Sequence, residues 1–287
     1  MSEERKKLTV PDLLARKKQG KRVVMISVPD YPTAVWAERA GIEAISMGDS
    51  IGMVVYGLPN TMPVTLEMMI AHGQAVRRGA PNTFIKLSLP YGCYANEEIG
   101  VTSAIRAMKE SECDAVKIQG GKEKFSIYKA IADAGVPVMG HIGLAPHFVH
   151  KFGGFKVQGR TADEALQIVE DAISLQKAGA IGFEIEAVPA PVAKAVDDAV
   201  DIFNFGIGAG PHCCGHILVG LDMLGVFDSF KPKFTKRYAE ISTIAVDAIK
   251  TYSSEVKQGL FPDEEHSYAM DPAEQKKFER TLKRMMD

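Results

Sequence analysis

An aspartate and a serine follow a short apolar run near the start of the 287-residue chain. The run from Ile42 to Met47 ends in Gly48-Asp49-Ser50, as a buried strand does when it delivers a carboxylate and a hydroxyl group to its carboxyl end. Asp49 has the chemistry to bind a hard cation or a polar group of a substrate. The alternative is a plain turn in which Asp49 and Ser50 bond to nearby backbone.

Alternating strands and helices must position these side chains. Seven short β-rich runs alternate with segments of helical spacing, which predicts parallel strands with helical crossovers. Seven such units over one domain length favour a (β/α)8 TIM barrel, although the eighth strand has no clear signal. We predict a single domain over residues 1–287, with an N-terminal helix in 1–20 and a helical extension over about 234–287. In that extension, Phe234 to Gly259 is predicted to be mostly helical.

Polar residues recur where the predicted strands end. Besides Asp49 and Ser50, they are Lys86, Ser88, Lys117, Gln119, His141, Glu184 and Glu186. Residues two apart on a strand share a face, and a barrel interior normally prefers branched apolar side chains, so this convergence favours a functional site. Plainer interpretations exist. Lys117 can extend to solvent, His141 can be a satisfied buried histidine, and Glu186 can cap the next helix.

The composition excludes several classes of function. The net charge is −2 and no basic run appears, so nucleic acid is not an expected partner. The charged N-terminus lacks the apolar segment of a signal peptide, and no run of 18 apolar residues suggests a membrane span. The four cysteines form no CxxC pattern, which favours a reducing, cytoplasmic setting.

One short segment invites a metal interpretation. His212-Cys213-Cys214-Gly215-His216 contains the residue types that bind zinc, but the spacing is too compressed for a usual tetrahedral site. The preceding Gly206-Ile207-Gly208-Ala209-Gly210 does not match GxGxxG and is equally compatible with a tight turn.

Together the motifs resemble those of the ketopantoate hydroxymethyltransferases, over a stretch from the N-terminal helix to about Met270. The matching motifs are Gly48-Asp49-Ser50-Ile51-Gly52-Met53, Pro63-Val64-Thr65, Ala75-Val76-Arg77-Arg78-Gly79-Ala80-Pro81-Asn82, Val116-Lys117-Ile118, Gly140-His141-Ile142-Gly143-Leu144, Gly153-Gly154-Phe155-Lys156-Val157-Gln158-Gly159-Arg160, Gly206-Ile207-Gly208-Ala209-Gly210 and Glu264-Glu265-His266-Ser267.

The resemblance implies a barrel of the phosphoenolpyruvate-utilising superfamily and a homo-oligomer, decameric in well-known members. It implies an enzyme of pantothenate biosynthesis that transfers a hydroxymethyl group from methylenetetrahydrofolate to 3-methyl-2-oxobutanoate, with magnesium holding the 2-oxo acid. Asp49 then matches a metal ligand and Ser50 a substrate contact. Lys117 matches a substrate-binding lysine, His141 an active-site histidine and Glu186 the catalytic base.

The chain departs from the family pattern at the expected metal site. Ser88 stands where the family has an aspartate ligand, and Gln119 stands where it has a glutamate close to the metal. Asp49 is left as the one matching carboxylate, so the resemblance implies a weak or lost magnesium site, with Ser88 contacting substrate. Cys214 and His216 also differ from the family pattern and are possible accessory residues.

Two charged residues replace apolar ones on the strands. Lys86 and Glu184 should both point inward, and we predict that they form a buried ion pair one layer below the site. Alternatively, Lys86 acts directly, as an electrostatic substitute for the metal or as a Schiff-base amine.

Three functions follow from these patterns. The first is the family reaction, which the retained Glu186 and Lys117 favour. The second is a metal-independent paralogue that performs carbon–carbon cleavage, decarboxylation or another reaction on a different small carboxylate, which Ser88 and Gln119 favour. The third is a non-catalytic barrel that binds a metabolite.

Overall fold

Eight parallel strands close into a barrel in the computed structural model, which describes residues 6–287. They are β1 (Val23–Ser27), β2 (Ala44–Met47), β3 (Phe84–Ser88), β4 (Ala115–Lys117), β5 (Val138–Gly143), β6 (Gly182–Glu186), β7 (Phe203–Ile207) and β8 (Gly215–Val219). Each strand pairs in parallel with its neighbours in chain order, and β8 pairs with β1. The predicted (β/α)8 fold is therefore confirmed.

Helices cover the strands and extend the chain. They are α1 (Val10–Lys18), α2 (Tyr31–Arg39), α3 (Ile51–Val54), α4 (Leu66–Gly79), α5 (Glu97–Ser111), α6 (Phe125–Asp133), α7 (Val149–Phe152), α8 (Ala162–Lys177), α9 (Ala190–Ala199), α10 (Gly220–Met223), α11 (Ile241–Gln258) and α12 (Pro272–Met286). The side chains of Thr9, Thr65 and Thr161 accept hydrogen bonds from backbone amides and fix where α1, α4 and α8 begin. None of the described helices has the length and apolar character needed to cross a membrane.

Two details of the chain path differ from expectation. The prediction of an N-terminal helix over 1–20 is confirmed for Val10–Lys18, whereas its first five residues lie outside the described part of the chain. Phe234 to Gly259 is mostly helical as predicted, but α11 begins only at Ile241, and residues 234–240 are not helical. The Pro232 carbonyl accepts from the Thr235 amide at 3.0 Å, which makes a turn. The Tyr238 amide donates to the Met223 carbonyl instead of to a helical partner.

The chain divides into two compact units, one up to Ala239 and one from Glu240 to Asp287. The first unit contains the barrel with α1 to α10, and the second contains α11 and α12.

The barrel interior changes from apolar to polar along its axis. Buried side chains from the first halves of the strands fill the amino end, among them Ala44, Phe84, Ala115 and Phe203. Leu13 of α1 belongs to the same cluster and is only 1% exposed. With that end packed, the polar residues at the carboxyl ends remain to form a site, as in other barrels of this type.

Candidate active site

A buried ion triad lies above the apolar layer. Lys86 on β3 and Glu184 on β6 approach to 2.6 Å between Nζ and Oε1, so the predicted buried ion pair is confirmed. The other carboxylate oxygen of Glu184 accepts a hydrogen bond of 2.6 Å from Lys117 at the end of β4. None of the three residues is more than 4% exposed. Glu184 therefore holds two lysines from two different strands.

The charges of this triad shift one another's pKa values. Burial alone would raise the pKa of Glu184, but Lys117 and Lys86 outweigh burial and hold it well below its usual range. Burial lowers the pKa of Lys86 to about 7, with Glu184 opposing the shift. Burial acts on Lys117 in the same direction, but Glu184 and Asp49 outweigh it and raise the pKa of that ammonium group. Lys117 is thus the permanent cation of the triad.

His141 connects Lys117 to Glu186. Its Nδ1 lies 3.2 Å from the Lys117 ammonium group, and its Nε2 lies 3.1 Å from Oε2 of Glu186. Because an ammonium group only donates, Nδ1 is assigned as the acceptor and the ring proton belongs on Nε2, facing the Glu186 carboxylate. The carboxylate of Glu186 is thereby tied through one imidazole to the fixed positive charge.

The backbone after Glu186 is strained. Ala187 has φ +47°, and within residues 6–287 the one other non-glycine residue with positive φ is Glu112. The Ala187 amide donates to the Ile207 carbonyl at 2.9 Å, and its carbonyl accepts from the Gln158 amide at 3.0 Å. Strain that neighbouring strands and loops hold in this way is typical of functional sites, where it fixes the direction of a side chain.

Asp49 is enclosed by protein donors. Its Oδ2 lies 2.7 Å from Nε2 of His147 and accepts a hydrogen bond of 3.1 Å from the Gln119 amide nitrogen. Burial would raise the pKa of Asp49, but the charge and contact of His147, with Lys117 adding, outweigh burial and lower it well below its usual range. Asp49 is therefore an ionised carboxylate whose partners are already in place.

Two residues of this cluster had no role in the sequence-based prediction. His147 lies in the turn Pro146–Phe148 after β5, and Tyr94 lies in the loop after β3. The Tyr94 hydroxyl contacts Nδ1 of His147, and burial, with Asp49 adding, raises the pKa of Tyr94 so that the phenol stays protonated. Their positions could have indicated a role, because both residues lie in loops that follow the carboxyl ends of strands, where barrel enzymes carry their catalytic residues.

The serines occupy the same end of the barrel. Ser50 begins α3 directly after Asp49, and Gly48 leaves the space beside it open, because a Cβ there would lie 3.1 Å from the Ser50 hydroxyl oxygen. Ser88 pairs with Lys117 across β3 and β4 and is fully buried. Its hydroxyl has no hydrogen-bond partner among the described residues, and a buried hydroxyl without a partner costs roughly 1–3 kcal/mol. Ser88 is thus ready to bond to a ligand.

Cys214 and His216 do not join this cluster. Cys214 precedes β8 at the amino end of the barrel, where its thiol contacts Asp197 at 3.1 Å. His216 lies on β8 opposite Gly206 of β7 and Val24 of β1. Their departure from the family pattern therefore has no direct contact with the residues around Asp49 and Glu186.

The donors around Asp49 do not fit the magnesium ion that the family resemblance implies. Magnesium binds oxygen ligands and usually draws on one or two carboxylates in octahedral geometry. Asp49 supplies one carboxylate, with Oδ2 already in contact with His147 and Gln119. Ser88 and Gln119 are neutral. In the described part of the chain, no group of three or more histidine, cysteine or acidic side chains is arranged to hold a metal ion.

Two clefts lead to the polar cluster. One, of about 350 Å³, reaches His141, and the other, of about 470 Å³, reaches His147 and Tyr94. Phe148 and Lys151 line both clefts. Neither cleft is lined by Glu186 or Lys117, so His141, His147 and Tyr94 are where the clefts meet the polar cluster.

A sequence profile of the family described as ketopantoate hydroxymethyltransferase matches residues 7–264. The chain belongs to the ketopantoate hydroxymethyltransferase family. It is 49% identical to 3-methyl-2-oxobutanoate hydroxymethyltransferase 1 of Methylibium petroleiphilum, over 96% of this chain and 94% of that relative. It is 47% identical to the 3-methyl-2-oxobutanoate hydroxymethyltransferase of Thermus thermophilus, over 91% of this chain and 99% of that relative.

Solved structures share the fold of this ketopantoate hydroxymethyltransferase family member at low sequence identity. A phosphonopyruvate hydrolase superposes with a TM-score of 0.60 at 11% identity, covering 96% of this chain and 97% of that one. A 2,3-dimethylmalate lyase of the phosphoenolpyruvate mutase/isocitrate lyase superfamily gives a TM-score of 0.60 at 15% identity, with the same coverage. At this identity the likeness establishes the fold alone.

Proposed function

We propose that this chain transfers a hydroxymethyl group from methylenetetrahydrofolate to 3-methyl-2-oxobutanoate. Its relatives at 49% and 47% identity carry that activity in their names. The observation that carries the proposal is the contact of His141 with Glu186 on one side and Lys117 on the other. A carboxylate base and a fixed cation linked in this way are what enolate chemistry needs.

Glu186 acts as the base in this proposal. Its carboxylate removes the proton from C3 of 3-methyl-2-oxobutanoate, and the electron pair of the C–H bond moves toward the ketone oxygen to give the enolate. Water releases the one-carbon unit from the two folate nitrogens as formaldehyde, and its protons pass to those nitrogens to give tetrahydrofolate. C3 of the enolate then forms a carbon–carbon bond to formaldehyde, and the resulting alkoxide takes the proton held by Glu186 to give the hydroxymethylated 2-oxo acid.

The remaining site residues hold the substrate. Lys117 faces the carboxylate or the ketone oxygen, and the unpartnered Ser88 hydroxyl donates to a substrate oxygen. Ser50 contributes a second hydroxyl at the end of β2. His141 keeps Glu186 directed toward C3 through its Nε2 contact.

The proposal includes self-association and a cytoplasmic location. One face of α11 presents Ile249, Tyr252 and Val256, which are 66%, 57% and 44% exposed. Their spacing of three and four residues makes a continuous apolar stripe, which a second copy of this chain would cover. All four cysteines are free, as expected in a reducing compartment.

The experiment is a turnover assay with purified protein, 3-methyl-2-oxobutanoate and methylenetetrahydrofolate, in which the hydroxymethylated 2-oxo acid is quantified by mass spectrometry. Formation of that product supports the proposal, and failure to form it with a folded protein contradicts it. Glu170→Gln is a matched control because that carboxylate is 60% exposed and pairs with Lys122 at the surface. It should keep the wild-type rate.

A further inference from the structure

One oxygen of the Asp49 carboxylate is committed to the protein. His147 and Gln119 both contact its Oδ2, and the residue is only 4% exposed. A divalent cation on Asp49 would share that carboxylate with the His147 ring, which already contacts Oδ2. Bound there, a cation would have one carboxylate to compensate its charge, in a buried place where little water can complete its coordination.

Gln119 is locked in an orientation that turns its amide nitrogen toward Asp49. Its Oε1 accepts a hydrogen bond of 2.9 Å from the His147 backbone amide, while its Nε2 donates to Asp49. Turning the amide over would bring two donors together at the His147 backbone and two acceptors together at Asp49. Gln119 therefore presents its amide nitrogen, not its oxygen, to Asp49, so a cation on Asp49 would meet a donor at this position.

A lysine ammonium group lies close to the proposed base, where the substrate anion must bind. Lys86 and Lys117 share the single carboxylate of Glu184. Away from this triad, the Asp49 carboxylate faces His147. The Lys117 ammonium group also lies 3.2 Å from Nδ1 of His141, whose other ring nitrogen contacts the base Glu186. The Lys117 side chain thus supplies a fixed positive charge next to the base.

From this arrangement we infer that the site binds a 2-oxo acid and forms its enolate without a divalent cation. Lys117 and Ser88 supply the donors to the substrate in place of a metal. The inference rests on the proposed function for the identity of the substrate. In the step concerned, the C3 proton passes to Glu186 and the negative charge moves to the ketone oxygen, where the Lys117 ammonium group meets it. No co-reactant is needed for this half of the reaction.

Binding measurements test the inference separately from turnover. Titration calorimetry of 3-methyl-2-oxobutanoate should give the same Kd in EDTA and in magnesium, within about twofold. Electron paramagnetic resonance should show all Mn²⁺ free at millimolar concentration, with and without the 2-oxo acid. Binding that requires magnesium, or stoichiometric capture of Mn²⁺ by the wild-type protein, would overturn the inference. So would the absence of 2-oxo acid binding in both buffers.

A variant supplies the positive control. Gln119→Glu with Ser88→Asp places one carboxylate against Asp49 and a second at the end of β3, and this variant should capture Mn²⁺ in the same experiment. If this double variant folds but does not capture Mn²⁺, the lack of carboxylates is not the reason that the wild-type protein leaves the cation free. If binding in EDTA is retained but the one-carbon transfer is not observed, the transfer reaction is disproved while the metal-free site stands.

Discussion

Lys86 Nζ lies 2.6 Å from Glu184 Oε1 in the interior of the barrel, and Lys86 is fully buried. Removing one partner of a buried pair is more costly than removing an exposed partner, because the remaining charge cannot reach water. Lys86→Met should lower the free energy of unfolding by about 3 kcal/mol, at the lower end of the range for buried pairs because Lys117 still compensates Glu184. Urea unfolding at neutral pH measures this loss.

A surface pair provides the comparison. Lys194 and Asp198 lie 2.7 Å apart on α9, with side chains 56% and 62% exposed. Lys194→Met should cost no more than about 0.5 kcal/mol, because water screens exposed pairs. Equal losses for the Lys86 and Lys194 variants would show that the buried pair is not a structural element of the barrel.

Lys86 should not form a covalent adduct with a 2-oxo acid. Its pKa of about 7 leaves free amine at neutral pH, as Schiff-base chemistry requires. Its full burial and its contact with Glu184 nevertheless keep that amine below the substrate layer. Borohydride reduction in the presence of 3-methyl-2-oxobutanoate, followed by peptide mass spectrometry, should leave Lys86 unmodified. A reduced adduct on Lys86 would instead make it a catalytic residue.

Ala187→Gly should stabilise the fold by about 1 kcal/mol. The φ of +47° is unfavourable for alanine and costs glycine little, so the substitution removes strain. Ala195→Gly in the exposed interior of α9 is the matched control and should destabilise by about 1 kcal/mol. Thermal unfolding of both variants measures whether each substitution raises or lowers stability. A loss of stability in Ala187→Gly would refute strain at this position.

Asp222 should make stability depend on pH. Burial raises the pKa of this carboxyl group to about 6, with Arg237 opposing the shift. The folded state therefore holds the proton more tightly than the unfolded chain, whose Asp pKa is about 3.9. The contribution of Asp222 to the free energy of unfolding is therefore fully present below about pH 4 and is lost as the pH rises through 6.

Asp222→Asn should remove that loss. At pH 8 we expect the variant to be more stable than the wild type by about 1–2 kcal/mol, with no gain at pH 4. Asp198→Asn, at an exposed position, should show no such pH-dependent gain. Denaturant titrations between pH 4 and 8 give the free energy of unfolding of both proteins. If it depends on pH in the same way for Asp222→Asn and the wild type, Asp222 does not cause the pH dependence.

The sequence predicted the structure well where apolar and polar residues recur with the period of a strand or a helix. Alternating strand and helix patterns predicted the barrel, and residues two apart on β3 and β6 predicted that Lys86 and Glu184 would meet. The strand β8 was missed because Gly215–Val219 is a five-residue run that follows directly on His212-Cys213-Cys214, with no helical segment between it and β7. The prediction of one domain for the whole chain stays a prediction.

The partners of Asp49 could not be predicted in this way. His147 lies in a short turn and Tyr94 in a loop, and neither has a periodic position that relates it to β2. Their contacts depend on how two βα loops fold over the barrel, which is a property of tertiary structure. The roles of Glu186, Lys117 and Ser88 in catalysis and binding also remain predictions, now with defined geometry.

Exchange of the C3 proton of 3-methyl-2-oxobutanoate in D₂O containing EDTA, followed by proton NMR, tests the central claim most directly. The geometry of Glu186, His141 and Lys117 predicts enzyme-dependent loss of the C3 signal without folate or metal. Glu186→Gln should slow that exchange by about 10²- to 10⁴-fold while the 2-oxo acid still binds. Exchange at the wild-type rate in Glu186→Gln, or no exchange with the wild-type enzyme, would contradict the account.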